Sequence, residues 1–174
     1  MNYAEIKNYD IANGPGVRVS LFVSGCTHRC KGCFNEISWN FGYGKPFNDI
    51  VRGRIIAACD PYYISGLSIL GGEPMEVRNQ EAVILLLREF RNKLKGKTVW
   101  CYSGYTYEEL TDKNNARCHC AVTEELLGLI DVLVDGEFIE EQKDISLRFR
   151  GSRNQRIIDL NKTREAGELV LWES

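Results

Sequence analysis

The sequence predicts a single α/β domain built on a parallel sheet. Three observations carry this. The chain has 174 residues, enough to bury one core and too few for a complete eight-stranded α/β barrel, which takes roughly 250. β-rich apolar runs alternate with segments of helical periodicity, the pattern of right-handed β–α–β crossovers. The loops richest in glycine, cysteine and serine all follow predicted strands, and ligands of parallel folds collect at the carboxyl ends of strands.

Residues 18–24 (RVSLFVS) read as a buried strand, followed at once by Gly25 and a cysteine-rich loop. Residues 49–59 read as a helix stopped before Pro61. Residues 67–70 form a short apolar strand ending in Gly71-Gly72. The clearest helix runs from about 79 to 94, with Val83, Leu86, Leu87, Phe90 and Leu94 on one face and Gly96 suited to its end. Residues 98–102 (TVWCY) are the next strand, ended by Ser103-Gly104. A short helix over 123–128, a strand over 132–134 and a further strand over 169–172 complete the pattern. No repeat, low-complexity tract or Pro/Ser-rich linker divides the chain, so residues 1–174 are expected to form one domain.

Composition narrows the function. An apolar share of 44% with 26% charged residues is that of a folded globular protein and excludes intrinsic disorder. The longest strongly apolar run, residues 82–87, is far too short to span a membrane. The opening MNYAEIKNYD has no basic segment leading into an apolar stretch, so no secretory signal is expected. The formal net charge of −2 gives no support for nucleic-acid binding. Seven cysteines, an odd number, exclude a fully paired disulfide framework. The expected compartment is reducing and cytoplasmic, where cysteines bind metal, react or fill core space.

Cys26, Cys30 and Cys33 lie in the sequence Cys-Thr-His-Arg-Cys-Lys-Gly-Cys, a C-x3-C-x2-C spacing. Three thiolates this close converge only if the chain curls around their ligand, and Gly25 and Gly32 permit that. Thiolates are soft ligands for zinc, copper(I) or iron–sulfur clusters. Incidental core thiols explain three cysteines in eight residues least well. A zinc site would use His28 as a fourth ligand, yet no Cys/His pair follows at finger-like spacing. A [4Fe–4S] cluster usually has four cysteines, so three would leave one iron open, as in a catalytic site.

This loop, with Phe34 after its last cysteine, resembles the cluster-binding loop of the radical S-adenosylmethionine enzymes. Gly71-Gly72-Glu73-Pro74 resembles the segment with which that superfamily holds the cofactor's methionine part. Asn13-Gly-Pro-Gly16, followed by Val17 and Arg18, resembles a segment of the glycyl-radical activating enzymes, as does Tyr102-Ser-Gly-Tyr105. The stretches Val134-Asp-Gly-Glu-Phe138 and Phe149-Arg-Gly-Ser-Arg-Asn-Gln-Arg156 resemble the C-terminal signature of those that activate anaerobic ribonucleoside-triphosphate reductases.

The resemblance implies a radical S-adenosylmethionine core: an open, partial TIM-type barrel of about five or six βα units. It implies an oxidoreductase that cleaves S-adenosylmethionine reductively at a [4Fe–4S] cluster. The resulting 5′-deoxyadenosyl radical would take hydrogen from one glycine of the class III reductase, leaving a glycyl radical there. An electron donor of unknown identity is also implied. By residue, the resemblance makes Cys26, Cys30 and Cys33 the cluster ligands. Gly32, Cys33 and Phe34 would lie against cofactor or cluster, and Gly71, Gly72 and Glu73 would hold the methionine part. Ser103 and Asp135, each at a strand end, are further expected cofactor contacts. Arg148, Arg150, Arg153 and Arg156 would dock the reductase.

His28 reads as a supporting loop residue, and Cys59 and Cys101 as packed thiols. Cys118-His119-Cys120 departs from the family pattern and reads as incidental loop thiols or an accessory site. Two other functions fit the residues. One is activation of another glycyl-radical enzyme, or radical chemistry on a small molecule. The other is a non-catalytic zinc or iron–sulfur binding module.

Overall fold

The computed structural model describes residues 1–173. Among them, seven strands form one sheet: β1 (Asn2–Asp10), β2 (Val17–Val23), β3 (Lys45–Pro46), β4 (Ile64–Gly71), β5 (Thr98–Tyr102), β6 (Val132–Asp135) and β7 (Arg156–Asp159). Their order across the sheet is β3-β1-β2-β4-β5-β6-β7. The central β2, β4, β5 and β6 run parallel; β1 and β7 flank them antiparallel, and the two-residue β3 pairs antiparallel with β1. The sheet is not closed, since its outer strands β3 and β7 pair on one side only.

The helices are α1 (Asp49–Cys59), α2 (Val77–Lys93), α3 (Tyr107–Thr111), α4 (Thr123–Gly128) and α5 (Leu160–Ala166). Their ends follow local chemistry. Asn48 caps α1 by accepting from the Val51 amide at 3.0 Å. Thr106 and Glu109 form a reciprocal capping box on α3. Asp159 caps α5, which stops at Gly167 in the left-handed conformation.

Alternation along each central strand divides the sheet into two faces. Val19, Leu21, Leu67, Ile69, Val99, Cys101 and Leu133 are buried in one core together with Ile55, Val83, Leu87 and Phe90 of α1 and α2. The opposite face carries a smaller cluster of Trp100, Val132 and Val134, packed by Tyr102, Phe149, Ile157 and Trp172. Four parallel strands are fewer than the five or six βα units expected, because β1, β3 and β7 add to the sheet antiparallel. Residues 169–172 contribute only an isolated bridge, Leu171 to Ile158. Among the described residues no helix is long and apolar enough to cross a membrane.

Candidate functional site

β2 runs straight into Gly25 and the cysteine loop, so the loop is rooted at the carboxyl end of a central parallel strand. The Gly25 amide donates to the Ser38 carbonyl at 2.7 Å and the Cys26 amide to the Trp39 carbonyl at 3.2 Å. Those two acceptors lie in a short 3-10 helix, Glu36–Trp39, that backs the loop. Gly25 (φ 100°) and Gly32 (φ 71°) supply the left-handed turns that curl the chain, and Arg29 adopts one at φ 55° despite its side chain. Buried Glu76 pins the loop from below, accepting from the Thr27 amide at 2.7 Å and its hydroxyl at 2.6 Å.

Cys26, Cys30, Gly32, Cys33 and Phe34 all line one cavity of about 530 Å³, and Gly71, Gly72, Glu73 and Ser103 line it too. The cavity spans the carboxyl ends of the parallel strands, as a ligand site of this fold should. The two glycines after β4 are required by backbone contact. A Cβ on Gly71 would meet the Val23 backbone at 2.6 Å, and one on Gly72 the Gly25 carbonyl at 2.6 Å. They let the root of the cysteine loop lie against the end of β4.

Glu73 is only 1% exposed, and both of its carboxylate oxygens accept hydrogen bonds. One oxygen accepts from the Met75 amide (2.8 Å) and the Ser103 hydroxyl (2.9 Å). The other accepts from the Gly104 amide (2.6 Å), with His28 Nε2 at 3.3 Å. In this arrangement the carboxylate ties together the ends of β4 and β5 and the cysteine loop. His28 is held between Glu73 and Glu137, its ring 4.3 Å from that of Tyr105.

Asp135 does not reach the cavity; Gly136 lines it at that strand end. The Asp135 carboxylate is buried, accepting from Arg156 Nε at 2.9 Å and the Tyr107 amide at 2.7 Å. Arg156 also bonds Glu108, so this arginine of the expected docking run is a structural tie between β6, β7 and α3. Arg153 pairs with Asp144, and Arg150 donates to the Gln155 carbonyl and lines the cavity. Arg148 is exposed, with the Phe149 ring 5.1 Å away.

All seven cysteines are free thiols. Cys59, Cys101 and Cys118 are buried with 0% exposure. Cys118 donates to the Glu109 carbonyl at 3.3 Å and Cys120 to Gln80 Oε1 at 3.3 Å, so the second cysteine pair pins its own loop. Burial, with Glu73 nearby, pushes the Cys26 thiol up to about 12. Burial and Glu137 push Cys30 up to about 11. These thiols stay protonated at neutral pH until a Lewis acid takes them as thiolates. Burial lowers the His28 pKa, but the hydrogen bond and charge of Glu73 outweigh it and the net shift is upward.

The donor set fits a [4Fe–4S] cluster with one open iron: three soft, partly exposed thiols in one cavity and no fourth cysteine in its wall. Among the described residues no three His, Cys, Asp or Glu side chains are spaced to hold a single metal ion. The alternative zinc set that would use His28 is not assembled, since both its ring nitrogens face carboxylates. A cluster takes each thiolate on a different iron and needs no such convergence.

Residues 12–158 match a family model described as a 4Fe-4S single cluster domain. The chain is 43% identical over 157 residues to the anaerobic ribonucleoside-triphosphate reductase-activating protein of Vibrio cholerae, covering 89% of this chain and 96% of that one. It is 39% identical to the protein of that name from Escherichia coli K12, with the same coverage. The counterpart from enterobacteria phage T4 is 34% identical, covering 90% of this chain and 93% of the phage protein. The chain belongs to this family. The matched span contains the cysteine loop, the Gly71–Glu73 segment and the Arg148–Arg156 run, so the iron–sulfur domain and the cavity coincide. Sequence reasoning missed Glu76, Glu137 and Gly104, which hold the loop. The sequence offered for Glu76 only an acid just before α2, which reads equally as a charge favoured at a helix N-terminus.

Proposed function

We propose that this protein activates an anaerobic class III ribonucleoside-triphosphate reductase as a radical S-adenosylmethionine enzyme of the cytoplasm. The observation that carries the reading is three thiols, and only three, in one cavity with the backbone of Gly71 and Gly72. Bound there, a reduced [4Fe–4S] cluster supplies one electron to S-adenosylmethionine, giving methionine and a 5′-deoxyadenosyl radical that takes a hydrogen atom from a reductase glycine.

The residues divide that task. Cys26, Cys30 and Cys33 would hold the cluster as its three thiolate ligands and leave one iron open to the cofactor. Gly71 and Gly72 bring backbone groups to the methionine part. Glu73 supports this wall through Ser103 and Gly104. Its carboxylate already accepts three hydrogen bonds from the chain's own groups, so we assign it a positioning role. Phe34, 87% exposed, stands at the rim and can close over the adenosyl group. The open sheet would act as a partial barrel whose second face encloses the cofactor and excludes water. Exposed Arg148 and Ile145, on the segment that roofs the cavity, would meet the reductase while its glycine reaches the site.

The test is 5′-deoxyadenosine formation after anaerobic cluster reconstitution and chemical reduction, with S-adenosylmethionine added. Wild type should form it and Cys26→Ala should fall to background, with its unfolding midpoint little changed. Zinc in place of iron and acid-labile sulfide, or equal product from both proteins, would overturn the reading.

A further inference from the structure

Residues 169–172, expected from the sequence to form a strand, have no part in the chemistry above. They lie beyond the family match, which ends at residue 158. This tail folds back along β7 through an isolated antiparallel bridge, Ile158 to Leu171. The Asp159 amide donates to the Val170 carbonyl at 2.9 Å and the Trp172 amide to the Ile157 carbonyl at 2.8 Å. Neighbouring side chains on such extended backbone point opposite ways. Leu171 is 53% exposed, whereas Trp172 packs on the cluster of Trp100, Val132 and Val134. The Trp172 ring lies 5.1 Å from that of Trp100 and 6.2 Å from that of Phe149, both edge-on, and Phe149 lies 5.4 Å from Trp100.

Phe149 belongs to the segment that roofs the cavity, and Leu147, Arg150 and Gly151 beside it line the cavity as well. The ends of that segment are tied by the Lys143–Ser152 bridge, while Ile145 and Arg148 in its middle are exposed. Phe149 anchors the middle to the sheet by packing on the Trp100 cluster. Its φ is 60°, in the left-handed region. A bulky side chain persists there only where its surroundings over-determine it. The two indole rings supply that packing, one from β5 and one from the tail. We propose that Trp172 is a positioning residue, which holds Phe149 and through it the roof segment in place over the cavity. Trp172 stands behind Phe149 and not in the cavity lining. Its effect on the cofactor rests on the radical S-adenosylmethionine reading; its hold on the roof does not.

The test compares Trp172→Ala with Trp172→Phe and Leu171→Ala in the full chain, before and after cluster loading. Under native conditions trypsin should cut Trp172→Ala after Lys143, Arg148 or Arg150 about tenfold faster than wild type, read by mass spectrometry of the fragments. Trp172→Phe keeps an aromatic edge for Phe149, and Leu171→Ala leaves the tail's backbone bonds in place, so both should stay within about twofold of wild type. Cleavage after Arg88, inside α2, reports global unfolding in the same digest and should not rise. In the cluster-loaded protein, Trp172→Ala should bind S-adenosylmethionine about fivefold more weakly by equilibrium dialysis, and Trp172→Phe should restore the affinity. Roof cleavage of Trp172→Ala at the wild-type rate, or rising only in step with cleavage after Arg88, would overturn the proposal. So would an opened roof that binds the cofactor as wild type does. A loaded wild type that binds no cofactor would count against the radical reading instead, and the digest would still decide whether Trp172 holds the roof.

Discussion

On the sheet face covered by helices, Val19, Leu21, Leu67, Ile69, Val99 and Leu133 are all at 0% exposure within one apolar cluster. One residue along, the other face carries Arg18, Ser20 and Ser68, equally buried and polar. The first face is stabilised by removing apolar surface from water, which is non-directional. The second combines the smaller apolar cluster around Trp100 with directed bonds from Arg18 and Ser68. Arg18 donates to Ser68 Oγ (2.7 Å), Thr98 Oγ1 (2.9 Å) and the carbonyls of Leu67 (2.8 Å), Thr98 (3.0 Å) and Pro15 (3.5 Å). Burial pulls its pKa down to about 10, so it remains charged at neutral pH without a carboxylate partner in contact. Ser68 in turn donates to the Asn13 carbonyl, and Asn13 lines the cavity. The face that bears the cavity has part of its wall fixed by polar ties, and the helix-covered face holds the larger apolar cluster.

Arg18→Ala should give the largest effect, a loss of about 4 kcal/mol, because acceptors on β4, β5 and the loop before β2 lose their donor and a cavity opens. Urea unfolding monitored by circular dichroism measures it. A loss under about 1 kcal/mol would mean the polar ties carry little, and the contrast between the faces would collapse. Leu87→Ala, within α2 at 0% exposure, should cost about 3 kcal/mol by the same measurement. Its cluster content should stay near wild type, whereas Arg18→Ala should also loosen cofactor binding through Asn13. If Leu87→Ala lost cluster as readily as stability, the two faces would not be separable in function.

Legibility in the sequence divides along the same line. The helices Asp49–Cys59 and Thr123–Gly128 and the strand Thr98–Tyr102 lie where the pattern put them, since each presents apolar residues at the period of its element to the helix-side core. β1 was missed because its nine residues are mostly polar and half-exposed, as suits a strand near a sheet edge. β7 and α5 were missed because each buries a single apolar residue, Ile158 in one and Leu160 in the other. The cysteine loop was legible because its donors are local in sequence. The settings of Glu73 and Asp135 were not, because their partners Ser103 and Arg156 lie 30 and 21 residues away. Nothing in spacing alone reveals that a carboxylate already accepts hydrogen bonds on both oxygens.

The smallest expected effect divides the cysteines themselves. Cys101 sits in β5, two residues before Ser103, and is the cysteine in a strand nearest the cavity by sequence. Its side chain points into the helix-side core with 0% exposure, and burial holds its pKa well above the usual thiol range. Such a thiol acts as a small hydrophobe. Cys101→Ala should therefore cost only about 1 kcal/mol, a shift of roughly 2–4 °C in the thermal midpoint. Iron and acid-labile sulfide should match wild type, because the ligands lie across the strand end in the other environment. Loss of iron from Cys101→Ala at unchanged stability would place this thiol within reach of the cluster. It would also mean that the boundary between packed and functional thiols does not follow the two faces of the sheet.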